Sequence, residues 1–321
     1  MINAAIVGLG SWGRKLVGSV QGKSDQIRFS SAVTRTVSKA EDFAKTHDMA
    51  LGDDLASVLA DPAIDAVVVA GPNPLHVPHG LAALDAGKPT MVIKPMALHL
   101  AEAKQLQAAS DKAGVLLALG YNRCFMPEIV ELRRRVRAGD LGTILHAEGN
   151  FCVDRYLGLK PGSWKSDLEQ SPAGSLADHM LYNMISILGP IAEVTTVASG
   201  RATETSLMDT AATVLKFVDG TSGLLTAIGA TGNYHRLVMF GDKGWAELRG
   251  TGNFSFQPIG GKLEEIKFPK FEPEHAQLEA FARAVTGEVE FEISPSDAVH
   301  GVGVIEAMGQ SAQQGKTITL S

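Results

Sequence analysis

Three glycines near the amino terminus constrain this chain more than any other feature. Gly8, Gly10 and Gly13 follow the apolar residues 4–7 and precede a segment with helical character. The spacing G-x-G-x-x-G lets a strand turn sharply into a helix and lets the backbone approach a pyrophosphate. A helix that begins there directs free N–H groups and a partial positive charge at the anion. The stretch predicts a dinucleotide site, with a purely structural glycine turn as the alternative.

Length and charge narrow the class of protein. With 321 residues, 45% of them hydrophobic, the chain is long enough for two domains with separate cores. A formal net charge of -6 provides no broad basic field, which argues against nucleic acid or an anionic membrane as partner. Neither a basic leader nor an apolar run of about 18 residues is found. We therefore expect a cytoplasmic protein that acts on a small molecule.

The cysteines and histidines do not predict a metal site. Cys124 and Cys152 are too few for a disulfide framework and lack the spacing of zinc ligands, so we expect two buried thiols. His76 and His79 lie three residues apart, but neither an acidic residue nor a cysteine is near them in the sequence. We predict no bound metal.

Apolar runs and helical segments alternate through the first 120 residues. The predicted strands cover residues 4–7, 27–33, 64–70, 89–93 and 115–120, and the predicted helices cover 38–47, 54–59, 78–86 and 101–113. This alternation predicts a Rossmann fold, a doubly wound parallel sheet. Such sheets bind ligands at the carboxyl ends of their strands, where Asn73 and His76 follow residues 64–70. These two residues are expected near the cofactor or, alternatively, in turn and helix-cap roles.

The end of the second strand bears on the choice between NAD and NADP. NAD-specific folds usually place a carboxylate about 20 residues beyond the glycines, where it binds the ribose hydroxyls. This chain has Thr34, Arg35 and Thr36 there, with Lys39 close behind. Donors and positive charge without a carboxylate favour a 2′-phosphate. We therefore expect NADP in preference to NAD, the alternative being ordinary solvated basic residues.

Lys94 closes an apolar strand and is followed by Pro95. At the ligand-binding edge of a parallel sheet, a lysine can hydrogen-bond a substrate hydroxyl or carbonyl, and burial can lower its pKa enough for proton transfer. A surface lysine in a loop is the alternative.

Beyond residue 122 the pattern changes to strands with few intervening helices. A helix is predicted over 127–138, whose Arg133, Arg134, Arg135 and Arg137 are expected on a solvated face. Strands are predicted over 144–153, 193–198, 211–218, 222–229, 234–240 and 245–248, and helices over 275–286 and 296–314. We predict an α+β domain of residues 123–321, built on an open, mostly antiparallel sheet, after a dinucleotide-binding domain of residues 1–122. An open sheet has a face to cover, and a second subunit would cover it.

A second segment with candidate catalytic side chains lies at residues 172–185. It is predicted to be a helix that begins at Gly174 and Ser175. Asp178 and Tyr182 are four residues apart and therefore lie on one face of that helix. An acid and a phenol in this arrangement suit one substrate hydroxyl. A polar stripe or a contact with the helix dipole is the structural alternative.

These motifs resemble a known family, the glucose-fructose oxidoreductase, inositol dehydrogenase and MocA group of nicotinamide-dependent oxidoreductases. The resemblance covers nearly the whole chain and rests on residues 8–13, 71–76, 93–95 and 120–123. Family members usually have Glu-Lys-Pro where this chain has Ile93, Lys94 and Pro95. They also usually show Asp-x-Gly-x-His where this chain has Asp178, Met180 and Tyr182, although some members carry tyrosine at the last position.

The motifs and the resemblance together predict the site residues. The predicted cofactor-binding residues are Gly8, Gly10, Ser11, Trp12, Gly13, Thr34, Arg35, Thr36, Lys39, Pro72, Asn73, His76, Lys94 and Asn122. The predicted substrate-binding residues are Lys94, Asn122, Trp164, Asp178, His179 and Tyr182. The catalytic residues among these are Lys94, Tyr182 and Asp178, and the resemblance implies that the tyrosine exchanges a proton.

The function predicted from the sequence is hydride transfer between NAD(P) and a carbinol or carbonyl carbon of a sugar, polyol, cyclitol or related diol. The resemblance also implies a homo-oligomer. Two alternatives remain open, the first of them because of the residues at 93, 180 and 182. One is a non-catalytic sensor that retains the cofactor fold, and the other is a lyase or glycosidase that uses transient oxidation by a tightly held cofactor.

Overall fold

The computed structural model describes residues 1–162 and 176–320. Contacts divide the chain into two compact units. One consists of Met1–Asn122 and Glu272–Val302, and the other of Arg123–Phe271 and Gly303–Ser321. The sequence-based division places residues 272–302 in the second domain, whereas their contacts group them with the first unit.

The first unit contains a parallel sheet with helices between its strands. Its strands in the described residues are β1 (Ile2–Val7), β2 (Ile27–Val33), β3 (Ala50–Gly52), β4 (Ala66–Val69), β5 (Thr90–Ile93) and β6 (Leu117–Gly120). The intervening helices are α1 (Ser11–Val20), α2 (Glu41–Thr46), α3 (Leu55–Ala60), α4 (His76–Asp85) and α5 (Leu100–Ala113). The strand order is β3-β2-β1-β4-β5-β6. This order confirms the predicted Rossmann sheet.

Burial explains why these strands lie inside the unit. Ile6 of β1 and Val68 of β4 have no exposed surface, as expected for a parallel sheet covered on both faces. The sequence prediction omitted β3, which has three residues and a single large apolar side chain, Leu51. A strand this short carries almost no periodic signal.

The second unit is built on one large sheet. Its described elements are α6 (Pro127–Ala138), β7 (Ile144–Cys152), α7 (Asp178–Leu188), β8 (Ile191–Ser199), β9 (Thr210–Phe217), β10 (Ser222–Ile228), β11 (Tyr234–Gly241), β12 (Gly244–Arg249), β13 (Asn253–Pro258), β14 (Glu264–Lys267) and β15 (Ile318–Thr319). The order is β14-β13-β12-β11-β7-β10-β9-β8-β15, and of these neighbours only β7 and β10 run parallel. The predicted open, mostly antiparallel sheet is confirmed. Strands β13, β14 and β15 were not predicted from the sequence.

Side chains alternate across this sheet. On β7, Ala147 and Phe151 are buried in the core, and a Cβ on Gly149 would lie 3.1 Å from Met180 of α7. Glu148 lies on the other face of the sheet. Its partner Arg236 also contacts Glu247, so these three charged side chains form a network on that face.

Helix α6 corrects one prediction. Arg134 and Arg137 are exposed as expected, but Arg133 and Arg135 are buried. The Arg135 guanidinium pairs with Glu131 and Glu264 at 2.7 and 2.6 Å. The long apolar stem and these ion pairs allow an arginine to be buried, so the prediction of one solvated face was wrong at two of its four positions.

Two further helices complete the described chain, α8 (Pro273–Val285) and α9 (Pro295–Gln314). Helix α8 joins the first unit because His275 Nδ1 lies 2.7 Å from the Ser19 carbonyl of α1 and Ser24 Oγ donates to Glu279 at 2.8 Å. Helix α9 begins one residue before its predicted start, and Ser294 Oγ accepts from the Asp297 N–H in its first turn. None of the helices in residues 1–162 and 176–320 is long and apolar enough to cross a membrane.

Candidate functional site

In the glycine turn between β1 and α1, close packing leaves no room for a side chain at two of the three glycines. Gly8 has φ +107°, and a Cβ on it would lie 2.7 Å from the backbone of Gly71. A Cβ on Gly13 would lie 2.0 Å from the Gly8 carbonyl oxygen. Because both approaches are to backbone, no side-chain movement would relieve them. The turn therefore brings α1 as close to β1 as the dinucleotide motif requires.

Gly10 differs from the other two glycines. A Cβ on it would meet no described atom within 4 Å, so protein packing does not account for the glycine. Gly10 is also the N-cap of α1, and no described side chain caps that helix end. Open space beside uncapped N–H groups suits a pyrophosphate. The residues present therefore fit a dinucleotide.

A tether joins this turn to the segment that follows β2. Arg14 Nε donates to the Leu9 carbonyl at 3.1 Å and Arg14 Nη2 donates to the Lys39 carbonyl at 2.5 Å. The guanidinium carbon lies 5.0 Å from the centroid of Phe43. Thr34 is half-buried, whereas Arg35, Thr36 and Lys39 are exposed. Sequence reasoning missed Arg14, whose only signal was its position directly after the third glycine.

His76 lies entirely inside the protein. Its Nδ1 lies 2.7 Å from the Pro95 carbonyl oxygen and its Nε2 lies 2.9 Å from the Gly71 carbonyl oxygen. Burial lowers the pKa of His76, while the contacts with Pro95 and Gly71 oppose that shift. A neutral imidazole donates to one of these two carbonyls, and the ring packs between the turn after β4 and the turn that carries Lys94. In this position His76 supports both turns, and its predicted place near the cofactor stays a prediction.

Lys94 directly follows β5 and is half-buried. Its N–H donates to the Gly120 carbonyl at 3.3 Å, and the Lys94–Pro95 peptide is cis. Ile93, where the family usually has glutamate, is 8% exposed and pairs with Gly120 of β6. The apolar side chain therefore packs in the sheet at this position. After the neighbouring strand β4, Pro72 is exposed and Asn73 is half-buried at the start of a short 3-10 helix, Asn73–Leu75.

In the second unit, Asp178 and Tyr182 lie in the first turns of α7 and are 3% and 2% exposed. Burial raises the pKa of Tyr182, and the Asp178 charge raises it further. A buried phenol beside a carboxylate is held protonated, because the phenolate would be both desolvated and repelled. A cationic neighbour that lowered this pKa would have to act against both effects. This arrangement suits a group that holds a proton at the phenol oxygen until substrate or cofactor changes its surroundings.

Tyr156 is a functional candidate that sequence reasoning missed. It lies in a 3-10 helix, Arg155–Gly158, just after β7, and its ring lies so close to Gly229 that a Cβ there would be 2.2 Å from Tyr156 Cδ2. Burial raises the pKa of Tyr156, and Asp178 again adds to the shift. One carboxylate therefore acts on two phenols. Nothing in the local sequence pattern indicates this, since the two tyrosines are 26 positions apart.

His179 and His235 both stack on Phe151. The ring centroids are 4.4 Å apart for His179 and 4.3 Å for His235, and the Arg123 guanidinium carbon lies 4.8 Å from the Phe151 centroid. Burial, then the charges of Arg123 and Arg155, lower the pKa of His235 to about 4. Its Nε2 is buried and has no hydrogen-bond partner among the described residues.

We call these side chains the Asp178 cluster: Phe151, Tyr156, Asp178, His179, Tyr182 and His235. The structure thus brings three predicted residues, Asp178, His179 and Tyr182, together with three that were not predicted. Trp164, Gly174 and Ser175, which also carried predictions, lie outside the described residues. Both cysteines are buried and free, as expected.

Comparisons with known proteins cover both halves of the chain. Residues 2–121 match the family model GFO_IDH_MocA, described as "Oxidoreductase family, NAD-binding Rossmann fold", and residues 133–320 match GFO_IDH_MocA_C, "Oxidoreductase family, C-terminal alpha/beta domain". These matches confirm the resemblance inferred from the sequence. They also confirm the predicted class of protein, an oxidoreductase with a nicotinamide dinucleotide cofactor.

Individual relatives are distant. The scyllo-inositol 2-dehydrogenase (NADP(+)) IolW of Bacillus subtilis is 28% identical over 192 residues, 59% of this chain and 52% of that protein. The match therefore spans about half the length of that relative. A second such enzyme from B. subtilis, IolU, is 24% identical over 85% of this chain and 84% of its own. The crystal structure of aldose-aldose oxidoreductase from Caulobacter crescentus has a TM-score of 0.88 at 24% identity, with 99% of each chain covered, and shows the fold alone.

Proposed function

The chain belongs to the GFO_IDH_MocA oxidoreductase family, and from this premise we propose that it is an NAD(P)-dependent dehydrogenase or reductase of a sugar, polyol, cyclitol or related diol. The observation that carries the proposal is the turn at residues 8–13. Packing requires Gly8 and Gly13, whereas Gly10 leaves space at an uncapped helix N-terminus. Three scyllo-inositol dehydrogenases among the proteins similar to it support a cyclic polyol.

A nicotinamide held here would supply or accept the hydride, and the chain's own residues would bind the cofactor, orient the substrate and move the proton. Backbone N–H groups from Gly10 to Gly13 bind the pyrophosphate, with Ser11 and Trp12 lining the same turn. Pro72, Asn73, Lys94 and Asn122 follow three neighbouring strands at their carboxyl ends, where open parallel sheets bind cofactors.

At the substrate, Lys94 hydrogen-bonds the reacting oxygen and thereby favours negative charge on it. Tyr182 holds the proton that this oxygen exchanges, and Asp178 orients a substrate hydroxyl. The raised pKa of Tyr182 supports this role, because the phenol remains a donor across the physiological pH range. Asn122, Trp164 and His179 complete the proposed set of substrate-binding residues.

The segment after β2 supports NADP in preference to NAD. Arg35 and Lys39 are exposed, and the Arg14 contact with the Lys39 carbonyl ties this segment to the glycine turn. Arginine, lysine and threonine groups supply the charge and donors that a 2′-phosphate requires. Among the scyllo-inositol 2-dehydrogenases similar to this chain, IolW and IolU are named for NADP and a third is named for NAD, so the preference rests on the residues after β2.

We further propose a homo-oligomer that uses the outer face of the large sheet. Val197, Val214 and Leu224 are 73%, 53% and 42% exposed on that face, where Leu224 pairs with Val214 across the strands. A second copy of the chain would cover these side chains. Leu224→Glu should therefore shift the mass measured by light scattering to that of a smaller species. An unchanged mass contradicts this interface.

The test of function has two steps. Binding of NADP and NAD is measured by tryptophan fluorescence, followed by turnover with a panel of cyclitols, aldoses, glycerol and vicinal diols. We expect tighter binding of NADP and formation of reduced nicotinamide with at least one member of the panel. Failure to bind either cofactor contradicts the proposal. Binding without turnover favours a sensor, and turnover of a copurifying cofactor without net consumption favours transient oxidation.

Lys94→Met tests the chemical assignment. The variant should bind cofactor but lose turnover by about 10²- to 10⁴-fold, the usual contribution of a positioned acid–base group. Lys104→Met, an exposed change on α5, is the matched control and should leave turnover unchanged. Near-normal turnover in Lys94→Met removes Lys94 from the mechanism.

A further inference from the structure

Glu274 is a buried carboxylate held between two parts of the predicted cofactor site. It is the second residue of α8, and its side chain is 6% exposed. Its Oε1 receives the Lys15 ammonium at 2.6 Å and the Asn122 side-chain amide at 2.8 Å. A buried carboxylate is costly unless it is paired and hydrogen-bonded, so these two partners stabilise the charge. Glu274 is 152 or more positions from each partner in sequence, which hides the cluster from motif searches.

The contact with Asn122 decides which end of its amide is available to a ligand. An ionised carboxylate only accepts hydrogen bonds, so Asn122 must turn its NH₂ group toward Glu274. The Asn122 carbonyl oxygen then lies on the opposite side of the amide. Asn122 could otherwise present either a donor or an acceptor to a ligand. Its contact with Glu274 restricts it to presenting an acceptor.

The contact with Lys15 acts on the glycine turn. The Lys15 ammonium lies 4.8 Å from the centroid of the Trp12 ring as well as 2.6 Å from Glu274. A cation over an indole face is attracted by the ring, and the carboxylate holds the cation in place. Glu274 therefore restrains Trp12 through Lys15.

Further hydrogen bonds hold helix α8 in place for these contacts. Directly after Glu274, His275 contacts the Ser19 carbonyl of α1 and pairs with Glu279, which accepts from Ser24. The same helix therefore carries two carboxylates with hydrogen-bonded partners on or after α1. Glu274 contacts a predicted site residue and Glu279 does not. A substitution of Glu279 can therefore serve as the control for a substitution of Glu274.

We propose that Glu274 is a positioning residue for the nicotinamide half of the cofactor. It fixes Asn122 so that its carbonyl oxygen accepts a hydrogen bond from a donor on the cofactor, either the carboxamide NH₂ or a ribose hydroxyl. It also fixes Trp12 through Lys15. This role rests on the proposed function, since it presumes that a nicotinamide dinucleotide binds at the glycine turn.

The test is a double-mutant cycle on cofactor binding. In Glu274→Gln the side chain keeps its shape but can donate as well as accept, so the Asn122 amide is no longer restricted. We expect the Kd for oxidised cofactor, measured by calorimetry, to rise about tenfold in Glu274→Gln and in Asn122→Ala, and the double variant to be no worse than either single one. Glu279→Gln on the same helix is the control and should bind as the wild type does.

A cofactor analogue distinguishes the two donors. In the 3-acetylpyridine analogue a methyl group replaces the carboxamide NH₂. If that NH₂ is the donor, Glu274→Gln weakens the natural cofactor but not the analogue, and if a ribose hydroxyl is the donor, it weakens both equally. Wild-type affinity in Glu274→Gln or Asn122→Ala, or an equal loss in Glu279→Gln, overturns the role of Glu274. Failure of the wild type to bind any cofactor contradicts the proposed function instead.

Discussion

The glycine turn and the Asp178 cluster are built in opposite ways. The turn consists of consecutive residues, 8–13, and depends on the absence of side chains at Gly8 and Gly13, where an added Cβ would lie 2.7 and 2.0 Å from backbone atoms. The cluster consists of buried and half-buried side chains from β7, α7, β11 and a 3-10 helix, and it depends on the charge of Asp178. Added atoms should therefore disable the turn, whereas removed polar atoms should disable the cluster.

The largest predicted effect is a loss of proton transfer by the cluster without a loss of cofactor binding. Tyr182→Phe removes one hydroxyl and should lower kcat by about 10²- to 10⁴-fold while cofactor affinity is unchanged. Steady-state kinetics and cofactor titration measure the two quantities. Tyr234→Phe, at a ring that is 40% exposed, is the control and should behave as the wild type does. If both variants retain normal kcat, the phenol of Tyr182 takes no part in the reaction.

The next prediction tests whether the turn depends on the absence of a side chain at its glycines. Gly13→Val adds a Cβ that would lie 2.0 Å from the Gly8 carbonyl, so α1 must move away from β1. We expect cofactor affinity to fall at least about a hundredfold and the free energy of unfolding to fall by about 1–3 kcal/mol. Gly18→Ala, in the same helix with no described atom within 4 Å of its added Cβ, should keep affinity and gain stability. Normal cofactor affinity in Gly13→Val would show that the turn does not bind the cofactor.

A smaller effect concerns the support beneath the turn of Lys94. His76→Leu removes the ring that contacts the carbonyls of Gly71 and Pro95, so unfolding should become easier by about 1–3 kcal/mol and turnover should fall about tenfold. His79→Leu, three residues along α4, removes an Nδ1 that is already unpartnered among the described residues and should cost little. Urea unfolding of both variants measures the difference. Equal losses of stability would show that the two carbonyl contacts of His76 are unimportant.

The smallest effect is a pH dependence from the cluster. The folded pKa of His235 is about 4, below its ordinary 6.5, because burial and two arginine charges disfavour its protonation. As pH falls from 6.5 to 4 the unfolded chain takes up a proton that the folded chain resists, so this ring lowers stability increasingly over that range. The ring is only half-buried, so we expect about 1 kcal/mol after screening.

Unfolding in urea at about pH 7 and about pH 4.5 measures this dependence on His235. The stability of His235→Gln should fall less between the two pH values than that of the wild type, and His47→Gln at the end of α2 should follow the wild type. Identical pH dependence in all three proteins would show that His235 titrates normally in the folded chain.

The same contrast explains what the sequence predicted and what it did not. The Rossmann strands and the glycine turn were predictable because their signals are local: apolar runs, helical periodicity and three glycines at fixed spacing. Asp178 and Tyr182 were identified together because four positions along a helix place two side chains on one face. Such signals need only neighbouring residues.

The missing features depend on residues that are distant in sequence. Tyr156 joins Asp178 through the fold, and Glu274 reaches Lys15 and Asn122 across 259 and 152 positions. Strand β14 reads Glu-Glu-Ile-Lys and has no apolar alternation, because it pairs at the edge of the sheet and covers little. Burial of Arg133 and Arg135 likewise depends on partners outside their helix, such as Glu264.

The most direct test of the central claim follows a labelled hydrogen atom. A polyol that is turned over, carrying deuterium on its carbinol carbon, is incubated with NADP and the reduced cofactor is analysed by mass spectrometry. Hydride transfer predicts one deuterium in the nicotinamide ring for each substrate oxidised, and Lys94→Met should form almost none. Product formed without deuterium in the cofactor would contradict direct transfer between substrate and nicotinamide.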